Sequence, residues 1–254
     1  MRIDFVIAGV QKAATTALWS FLRTHASLFL PERKELHFFD DETIDWHFPP
    51  YALYHQHFAQ ADRGLICGEA TPIYTYWPPA VGRLRDYYSA IKLIVILRDP
   101  VARAYSQWRM EVARGAEILE FSAAIRDGRK RLAGANEIPG CHRVYSYVER
   151  GFYAEQIRRL LSCFPRSQVA FIATSDLRKR QRETLDGVCR FLGVSHFADY
   201  PSARLIFSHA ESCRSAMSDD DIAYLRRIFR DDMAETEALI GRTNERSNRN
   251  PIRK

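Results

Sequence analysis

The segment IDFVIAGVQKAATTALWSFL, residues 3–22, decides the fold of this chain. It combines an apolar strand, a turn of small and polar residues and an amphipathic helix, in the order Ile3–Ala8, Gly9–Thr16 and Thr15–His25. The first backbone N–H groups of a helix have no partner within the helix and lie at the positive end of its dipole, so a unit of this kind binds anions. The sequence therefore predicts an anion site at the end of the first strand.

The residues of the turn suit the same role. Lys12 adds a full positive charge, and the hydroxyl groups of Thr15 and Thr16 can donate hydrogen bonds to an oxyanion. Ala13 and Ala14 are small enough for the backbone to approach an anion closely, although alanine lacks the freedom of glycine to adopt a positive φ. We predict that these five residues bind a phosphate-rich ligand through side chains and backbone amides.

The turn does not match the phosphate loop of nucleoside triphosphatases. Counted from Gly9, that pattern requires glycine and then lysine where this chain has Ala14 and Thr15, and the lysine comes three residues early. A triphosphate site also needs an acidic partner for Mg²⁺ at the end of another strand. The best candidate strand, Lys92–Leu97, is followed by Arg98 instead. The sequence therefore predicts a ligand that is bound without a metal ion.

A second anion site is predicted after the strand Lys92–Leu97, which is continuously apolar after its first residue, as is typical of a parallel strand covered on both faces. Asp99 is a candidate N-cap and Pro100 lies near the first helical position, which predicts a helix through Arg114. Arg98 lies at this junction, beside the first site. The two units predict an α/β fold of the P-loop-like, three-layer type, with a central parallel sheet flanked by helices.

Apolar spacing and helix caps predict the remaining elements. These are strands Leu65–Gly68 and Val169–Thr174 and helices Tyr51–Ala61, Pro79–Tyr88, Phe121–Leu132, Ala154–Phe164 and Ser175–Leu192, the last of them closed by Gly193. A final helix is capped by Ser218 and ends at Ile240. The segment Lys34–Asp40 interleaves four ionisable groups with large apolar ones and has no helix signal, and such loops carry function more often than structure. Residues 115–142 form a polar insertion in which we expect an acceptor-shaping surface.

Composition limits the classes of function. The 254 residues, 46% of them hydrophobic, can bury one sizeable core, so we expect a single domain over residues 1–254 with a frayed basic tail at 243–254. A net charge of +6 suits an anionic ligand but does not indicate nucleic acid without a focused patch. No apolar run is long enough for stable insertion in a bilayer, and the five cysteines contain no C-x-x-C pair. We expect a soluble, cytoplasmic protein with reduced thiols.

Three segments together resemble the sulfotransferase superfamily that uses 3'-phosphoadenosine 5'-phosphosulfate, and within it the branch of the heparan sulfate sulfotransferases. In order and spacing they are similar to the 5'-phosphosulfate loop, the carboxylate-bearing loop of that branch and the strand-loop-helix unit for the 3'-phosphate, at Gly9–Leu18, Lys34–Asp40 and Lys92–Ser106. The motif Gly-Phe-Tyr at 151–153 and the run 189–193 add to the likeness. The resemblance covers most of the chain from Asp4 to Gly241.

This resemblance implies roles for the residues of the two anion sites. The turn 12–16 would hold the 5'-phosphosulfate through Lys12, the two threonines and backbone amides, and Lys12 would neutralise charge on the leaving oxygen as the S–O bond breaks. Arg98 and Ser106 would bind the 3'-phosphate, for which the forked guanidinium is well suited. Arg214 lies in the nearest equivalent of a late cofactor loop and is a further candidate ligand. The donor would leave as adenosine 3',5'-bisphosphate, and no metal ion is implied.

The resemblance also implies a catalytic base. Glu35 matches the carboxylate that is taken as general base in this branch, and such a base contributes roughly 10²–10⁴-fold. His37 is the alternative base, because imidazole alone has an ordinary pKa near neutrality. Asp40 matches a supporting polar position. Ala70 stands where the family often has a lysine, so that contact is missing or supplied elsewhere, by Lys34 or Arg33.

Several alternatives stay open from the sequence. The acceptor is a carbohydrate or another small molecule, with O- or N-sulfation and the oligomeric state undecided. A P-loop kinase using ATP and Mg²⁺ is disfavoured by the displaced lysine, and a non-catalytic nucleotide-binding module has only Ala70 in its support. Purely structural roles are also open: a solvated helix start for Lys12, a salt bridge to Asp99 or another carboxylate for Arg98, and a structural cap or surface charge for Glu35.

Overall fold

The computed structural model of the protein describes residues 2–132, 140–202 and 217–241. Its five strands are β1 Phe5–Gly9, β2 Leu28–Phe29, β3 Ile66–Ala70, β4 Lys92–Leu97 and β5 Val169–Ala173. They form one sheet in the order β2-β3-β1-β4-β5, and every neighbouring pair is parallel. The predicted α/β fold with a central parallel sheet is confirmed. Arg214 and the predicted tail at 243–254 lie outside the described residues, and a single domain over residues 1–254 stays a prediction.

Helices flank this sheet. They are α1 Thr15–Leu22, α2 Tyr51–Gln56, α3 Pro78–Tyr87, α4 Pro100–Ala113, α5 Phe121–Ile125, α6 Gly140–Tyr145, α7 Tyr153–Cys163, α8 Thr174–Lys179, α9 Gln181–Leu192 and α10 Asp219–Ile240. Short 3₁₀ segments lie at Asp127–Leu132, Glu149–Gly151 and Arg166–Gln168.

The central strands are apolar because helices cover both faces of the sheet. All five residues of β1 are buried, and so are the four central residues of β4. Phe5 on β1 pairs with Gly68 on β3 and with Lys92 on β4. A Cβ atom at Gly68 would overlap the ring of Phe5, so the glycine allows that ring to lie across the neighbouring strand.

Three predicted helix ends are confirmed. The Asp99 side chain accepts a hydrogen bond from Ala102 N at 2.8 Å and caps α4. Ser218 accepts one from Asp221 N at 3.1 Å and caps α10. Gly193 follows α9 with φ 83°, the left-handed conformation that favours glycine at the end of a helix.

Other predicted boundaries are wrong. The predicted helix Ser175–Leu192 is two helices, α8 and α9, separated at Arg180 with φ −133°. Buried apolar residues recur at helical spacing on both sides of that break, so periodicity cannot detect it. The predicted helix Phe121–Leu132 leaves the α conformation after Ile125, and its second half contains Gly128, which weakens a helix interior. Both β2 and α6 are too short for a periodic pattern to predict.

The strand order creates a crevice at the carboxyl ends of β1 and β4. The chain leaves β1 through α1 toward β2 at one edge, whereas it leaves β4 through α4 toward β5 at the other. The connections of two adjacent strands therefore diverge, and open α/β sheets bind ligands at such a switch point. Both predicted anion sites lie at this place.

Candidate active site

The loop between β1 and α1 exposes backbone donors. Ala14 is the N-cap of α1, with φ 71° and no side-chain cap, and the first helical hydrogen bond runs from Leu18 N to Ala14 O at 3.1 Å. The N–H groups of the first turn therefore have no partner in the helix. Lys12 also has a positive φ, of 67°. A non-glycine residue in this conformation costs about 1–2 kcal/mol, and such costs cluster at functional sites.

Contacts from two other elements hold this loop. Thr174, at the start of α8, places its Oγ1 2.9 Å from Ala13 O and 3.1 Å from Leu97 O, so it ties the loop to the end of β4. Of the two predicted threonine ligands, Thr15 is buried and Thr16 is exposed. The anion site is thus fixed from the sheet side and open at the start of α1.

Arg98 joins the two predicted anion sites. Its Nη1 donates to Lys12 O at 2.8 Å, and Tyr153 Oη donates to Arg98 O at 3.0 Å. Asp99 is engaged in capping α4, which disfavours the interpretation of Arg98 as half of a local salt bridge. Ser106 lies partly exposed on α4, two turns beyond the start of that helix.

The positively charged side chains at this crevice repel one another. Lys12 Nζ lies 3.4 Å from Met110 Sδ, and burial, followed by the charges of Arg114 and Arg98, lowers the pKa of Lys12. Burial and the charge of Arg178 likewise lower the pKa of Arg98. Within the described ranges, Lys12 and Arg98 form no ion pair with a carboxylate. A bound anion would relieve this repulsion, which is the electrostatic signature of an anion site.

The loop between β2 and α2 contributes a chain of alternating charges. Lys34 Nζ donates to Glu35 Oε1 at 2.6 Å, and Glu35 Oε2 lies 3.6 Å from His37 Nε2. His37 Nδ1 lies 2.9 Å from Asp40 Oδ2, and Arg143 Nη2 donates to that same oxygen at 2.7 Å. The three polar residues that the sequence predicted in this loop therefore form one continuous network.

Two strained residues shape this loop. Glu35 has φ 60° and His37 has φ 56°, which are left-handed conformations that ordinary residues seldom adopt. Glu35 N donates to Ala70 O at 3.0 Å, so the loop lies on the end of β3, next to β1. The negative charge of Glu35 raises the pKa of Lys12, so Glu35 influences the first anion site.

The network gives the two candidate bases opposite charges. Burial raises the pKa of Glu35, but the contact with His37 and the charge of Lys34 outweigh it and lower that pKa to about 2. Burial lowers the pKa of His37, but the hydrogen bond with Asp40 and the contact with Glu35 outweigh it and raise that pKa to about 9. At neutral pH Glu35 is ionised and can accept a proton, whereas His37 is an imidazolium. The electrostatics therefore favour Glu35 over His37 as the base.

Residues 2–211 match the sulfotransferase domain. The chain belongs to the sulfotransferase family. Heparan sulfate glucosamine 3-O-sulfotransferase 3B1 of Mus musculus is 31% identical over 189 residues, covering 74% of this chain and 45% of the mouse protein. A crystal structure of a sulfotransferase from Alicyclobacillus acidocaldarius aligns with a TM-score of 0.82 at 27% identity, covering 98% of this chain and 100% of the other.

These similarities confirm the prediction that the chain belongs to the sulfotransferase superfamily. A second curated relative, the bifunctional heparan sulfate N-deacetylase/N-sulfotransferase 3 of Mus musculus, is 27% identical over 274 residues, covering 95% of this chain and 30% of that protein. The chain thus spans less than half the length of both mouse relatives.

Sequence patterns do not point to every residue at the site of this sulfotransferase. Arg143 on α6 reaches Asp40 from a position directly after the insertion 115–142, where no helical period is strong enough to place it. Residues 133–139 of that insertion lie outside the described residues. Tyr74 accepts a hydrogen bond from Phe38 N of the loop and donates one to Glu69. The segment that contains Glu69 and Tyr74 has a Thr-Pro pair as its only sequence signal. These residues belong to segments distant in sequence, so no local signal could have found them.

Ala70, where the resemblance leads one to expect a lysine, has a structural role in this sulfotransferase. Ala70 is buried, and its carbonyl oxygen accepts the Glu35 N–H. Lys34 is bound to Glu35 and Arg33 is exposed. Compensation by either residue stays a prediction.

In the described ranges, no group of three or more His, Cys, Asp or Glu side chains is arranged to hold a metal ion. A metal-independent donor site stays a prediction. Among the helices of those same ranges, none has both the length and the apolar character needed to cross a bilayer.

Proposed function

We propose that this sulfotransferase transfers a sulfuryl group from 3'-phosphoadenosine 5'-phosphosulfate to a hydroxyl or amine of a saccharide or other small-molecule acceptor. The observation that carries the proposal is the hydrogen bond from Arg98 Nη1 to Lys12 O, which joins two strand-to-helix anion sites in one crevice. A donor with anionic groups at both the 5' and 3' positions of its ribose needs two adjoining sites. Similarity to heparan sulfate sulfotransferases supports a saccharide as acceptor.

The residues of the crevice fit this donor. Unpartnered amides at the start of α1 and the half-buried cation of Lys12 suit a phosphosulfate, with the buried Thr15 beside them. Arg98 presents a guanidinium for the 3'-phosphate, and Ser106 lies on the helix that follows it. When bound, the donor supplies the sulfuryl group and a nucleotide phosphate as leaving group.

The charged side chains divide the chemistry between them. Lys12 would donate to the oxygen on which negative charge develops, and it is positioned before reaction by the loop that Arg98 and Thr174 hold. Glu35 would take the proton of the attacking hydroxyl or amine. His37 and Asp40 would keep Glu35 ionised and oriented.

Base catalysis by Glu35 requires a change in its surroundings. A carboxylate with a pKa of about 2 accepts a proton weakly, because an effective base has a pKa closer to the working pH. Loss of the Lys34 contact would raise its proton affinity, and the flexible lysine side chain can turn away without moving the backbone. Lys34 would then be free to contact an anionic group of a ligand, a contact that the uncharged Ala70 cannot make.

Isothermal calorimetry with adenosine 3',5'-bisphosphate in the absence of Mg²⁺ tests the donor site. We expect binding by the wild-type protein and roughly 10–100-fold weaker binding by Arg98→Ala, since hydrogen bonds to charged groups contribute about 1.5–3 kcal/mol. Arg85→Ala is the matched control, because Arg85 is an exposed arginine on α3 that pairs with Asp86. Absence of binding at saturating bisphosphate, or equal losses in both variants, would contradict the proposal.

Turnover completes the test. Release of the bisphosphate from the phosphosulfate donor is measured with heparan sulfate and with a panel of neutral saccharides, amines and phenols as acceptors. Acceptor-dependent release and a sulfated product are the expected result. Binding of ATP with Mg²⁺ in preference to the bisphosphate would instead support the kinase alternative.

A further inference from the structure

A buried carboxylate lies beside the loop between β2 and α2, which carries Glu35 and His37 and is called the catalytic loop below. Glu69, on β3, is 1% exposed and accepts three hydroxyl hydrogen bonds. Tyr54 Oη and Tyr74 Oη both donate to Glu69 Oε1 at 3.0 Å, and Thr71 Oγ1 donates to Glu69 Oε2 at 2.6 Å. Burying a carboxylate is costly unless hydrogen bonds satisfy it, and here the three hydroxyl groups do so.

Only one of the two tyrosines extends this network to the catalytic loop. Tyr74 Oη accepts hydrogen bonds from Phe38 N at 3.2 Å and Phe39 N at 3.4 Å. A phenol has one donor and two acceptor positions, so the hydroxyl of Tyr74 is fully used. Because it donates to Glu69, both of its acceptor positions are directed to the two loop amides.

These two amides lie at the point where the loop needs support. They fall between His37, which lowers the pKa of Glu35, and Asp40, which holds the imidazole of His37. Glu35 and His37 both have a positive φ, which is a strained conformation for these residues, so the loop holds this shape only if contacts outside it compensate.

We infer that Tyr74 is a positioning residue for the proposed sulfuryl transfer, fixing the loop that carries Glu35 and His37 through the Phe38 and Phe39 amides, with Glu69 orienting its hydroxyl. The inference rests on the proposed function for its effect on turnover. The structural part of it, protection of two amides by one hydroxyl, does not.

The ionisation state of Glu69 affects the same hydrogen-bond network. The groups that face it are Tyr54 from α2, Tyr74 and Thr71 beyond the end of β3, and the charge of Asp40. Burial raises the pKa of Glu69 to about 7, against the three hydroxyl bonds, which lower it. A protonated Glu69 would itself carry an O–H, so one of the hydroxyl groups would have to turn, and the Tyr74 link would loosen on the acid side of neutrality.

Tyr74→Phe and Tyr54→Phe form a matched pair of variants. Each removes one phenolic hydroxyl that donates to the same carboxylate oxygen at the same distance, and each keeps an aromatic ring. Only Tyr74→Phe also removes the acceptor of the loop amides. With heparan sulfate as the acceptor probe, we expect Tyr74→Phe to lower kcat roughly 10–100-fold with little change in the KM of the donor, because small displacements of catalytic groups have effects of that size. We expect Tyr54→Phe to stay close to wild type when both variants are measured on the alkaline side of neutrality, where Glu69 is ionised.

Hydrogen exchange of the Phe38 and Phe39 amides is the second measurement. Exchange should accelerate in Tyr74→Phe and stay unchanged in Tyr54→Phe. Equal kcat losses in the two variants, or protected amides in Tyr74→Phe, would overturn the inference. If wild type shows no sulfuryl transfer with any acceptor, the proposed function fails, while hydrogen exchange still decides the role of Tyr74.

Glu69→Gln gives a further test should Tyr74→Phe not fold. Glutamine cannot ionise, so the acid limb of the kcat profile near pH 7 should vanish. A limb that persists in Glu69→Gln would show that another group produces it and would overturn the part assigned to Glu69.

Discussion

Replacing Asp40 by asparagine should lower the pKa of His37, so that its imidazole is no longer fully protonated at neutral pH. Asp40 is fully buried, its Oδ2 lies 2.9 Å from His37 Nδ1, and Arg143 donates to the same oxygen. Asparagine keeps the shape of the side chain but carries no charge. We expect the pKa of His37 in Asp40→Asn to fall from about 9 toward its ordinary value of 6.5, because burial and the charge of Arg143 are then opposed by Glu35 alone.

The size of the effect follows from the pKa of His37. The difference between 6.5 and about 9 corresponds to about 3 kcal/mol at 1.36 kcal/mol per pH unit, an upper limit because 31% of the side chain is exposed and solvent screens the pair. A pKa raised by folding contributes stability that is fully present below pH 6.5 and is lost as the pH rises through about 9. The free energy of unfolding of Asp40→Asn should lack this alkaline decline.

A proton NMR titration of the imidazole signals measures the pKa directly. The chain has eight histidines, and His37→Gln identifies the signal of His37 by its absence. Glu35→Gln is the matched control, since Glu35 lies 3.6 Å from the ring and is 37% exposed, so its loss should lower the pKa of His37 by less. A pKa that stays near 9 in Asp40→Asn, or a larger fall in Glu35→Gln, would refute the assigned network.

Two further predictions concern catalysis and loop strain. Glu35→Gln should keep its affinity for the bisphosphate but lose turnover roughly 10²–10⁴-fold, measured as bisphosphate release, and unchanged turnover would remove Glu35 from the role of base. Ala14→Gly should raise the free energy of unfolding in urea by about 0.5–1 kcal/mol, because relief of the left-handed strain exceeds the entropy that glycine adds to the unfolded chain. Ala13→Gly, at a buried position without a positive φ, should lower it, and a loss in both variants would argue against strain at Ala14.

The parts of the fold that the sequence predicts are those whose signals are local. The turn after β1, the cap at Asp99 and the glycine that ends α9 each depend on a few consecutive residues. The break at Arg180 is missed because the apolar period runs through it. Candidate site residues follow the same rule. Lys12, Arg98 and Glu35 lie in recognisable motifs, whereas Arg143 and Glu69 have no motif.

By itself the sequence determines an α/β fold with two anion-binding junctions and a charged loop, because hydrophobic period, caps and motif order are properties of neighbouring residues. Only the tertiary structure decides which side chains meet. Arg98 and Lys12 are 86 positions apart, Arg143 and Asp40 are 103 apart, and Tyr74 and Phe38 are 36 apart. Parallel strands bring together the ends of segments that whole helices separate. The charges of the candidate bases depend on those contacts and on burial, so they too are decided by the folded chain.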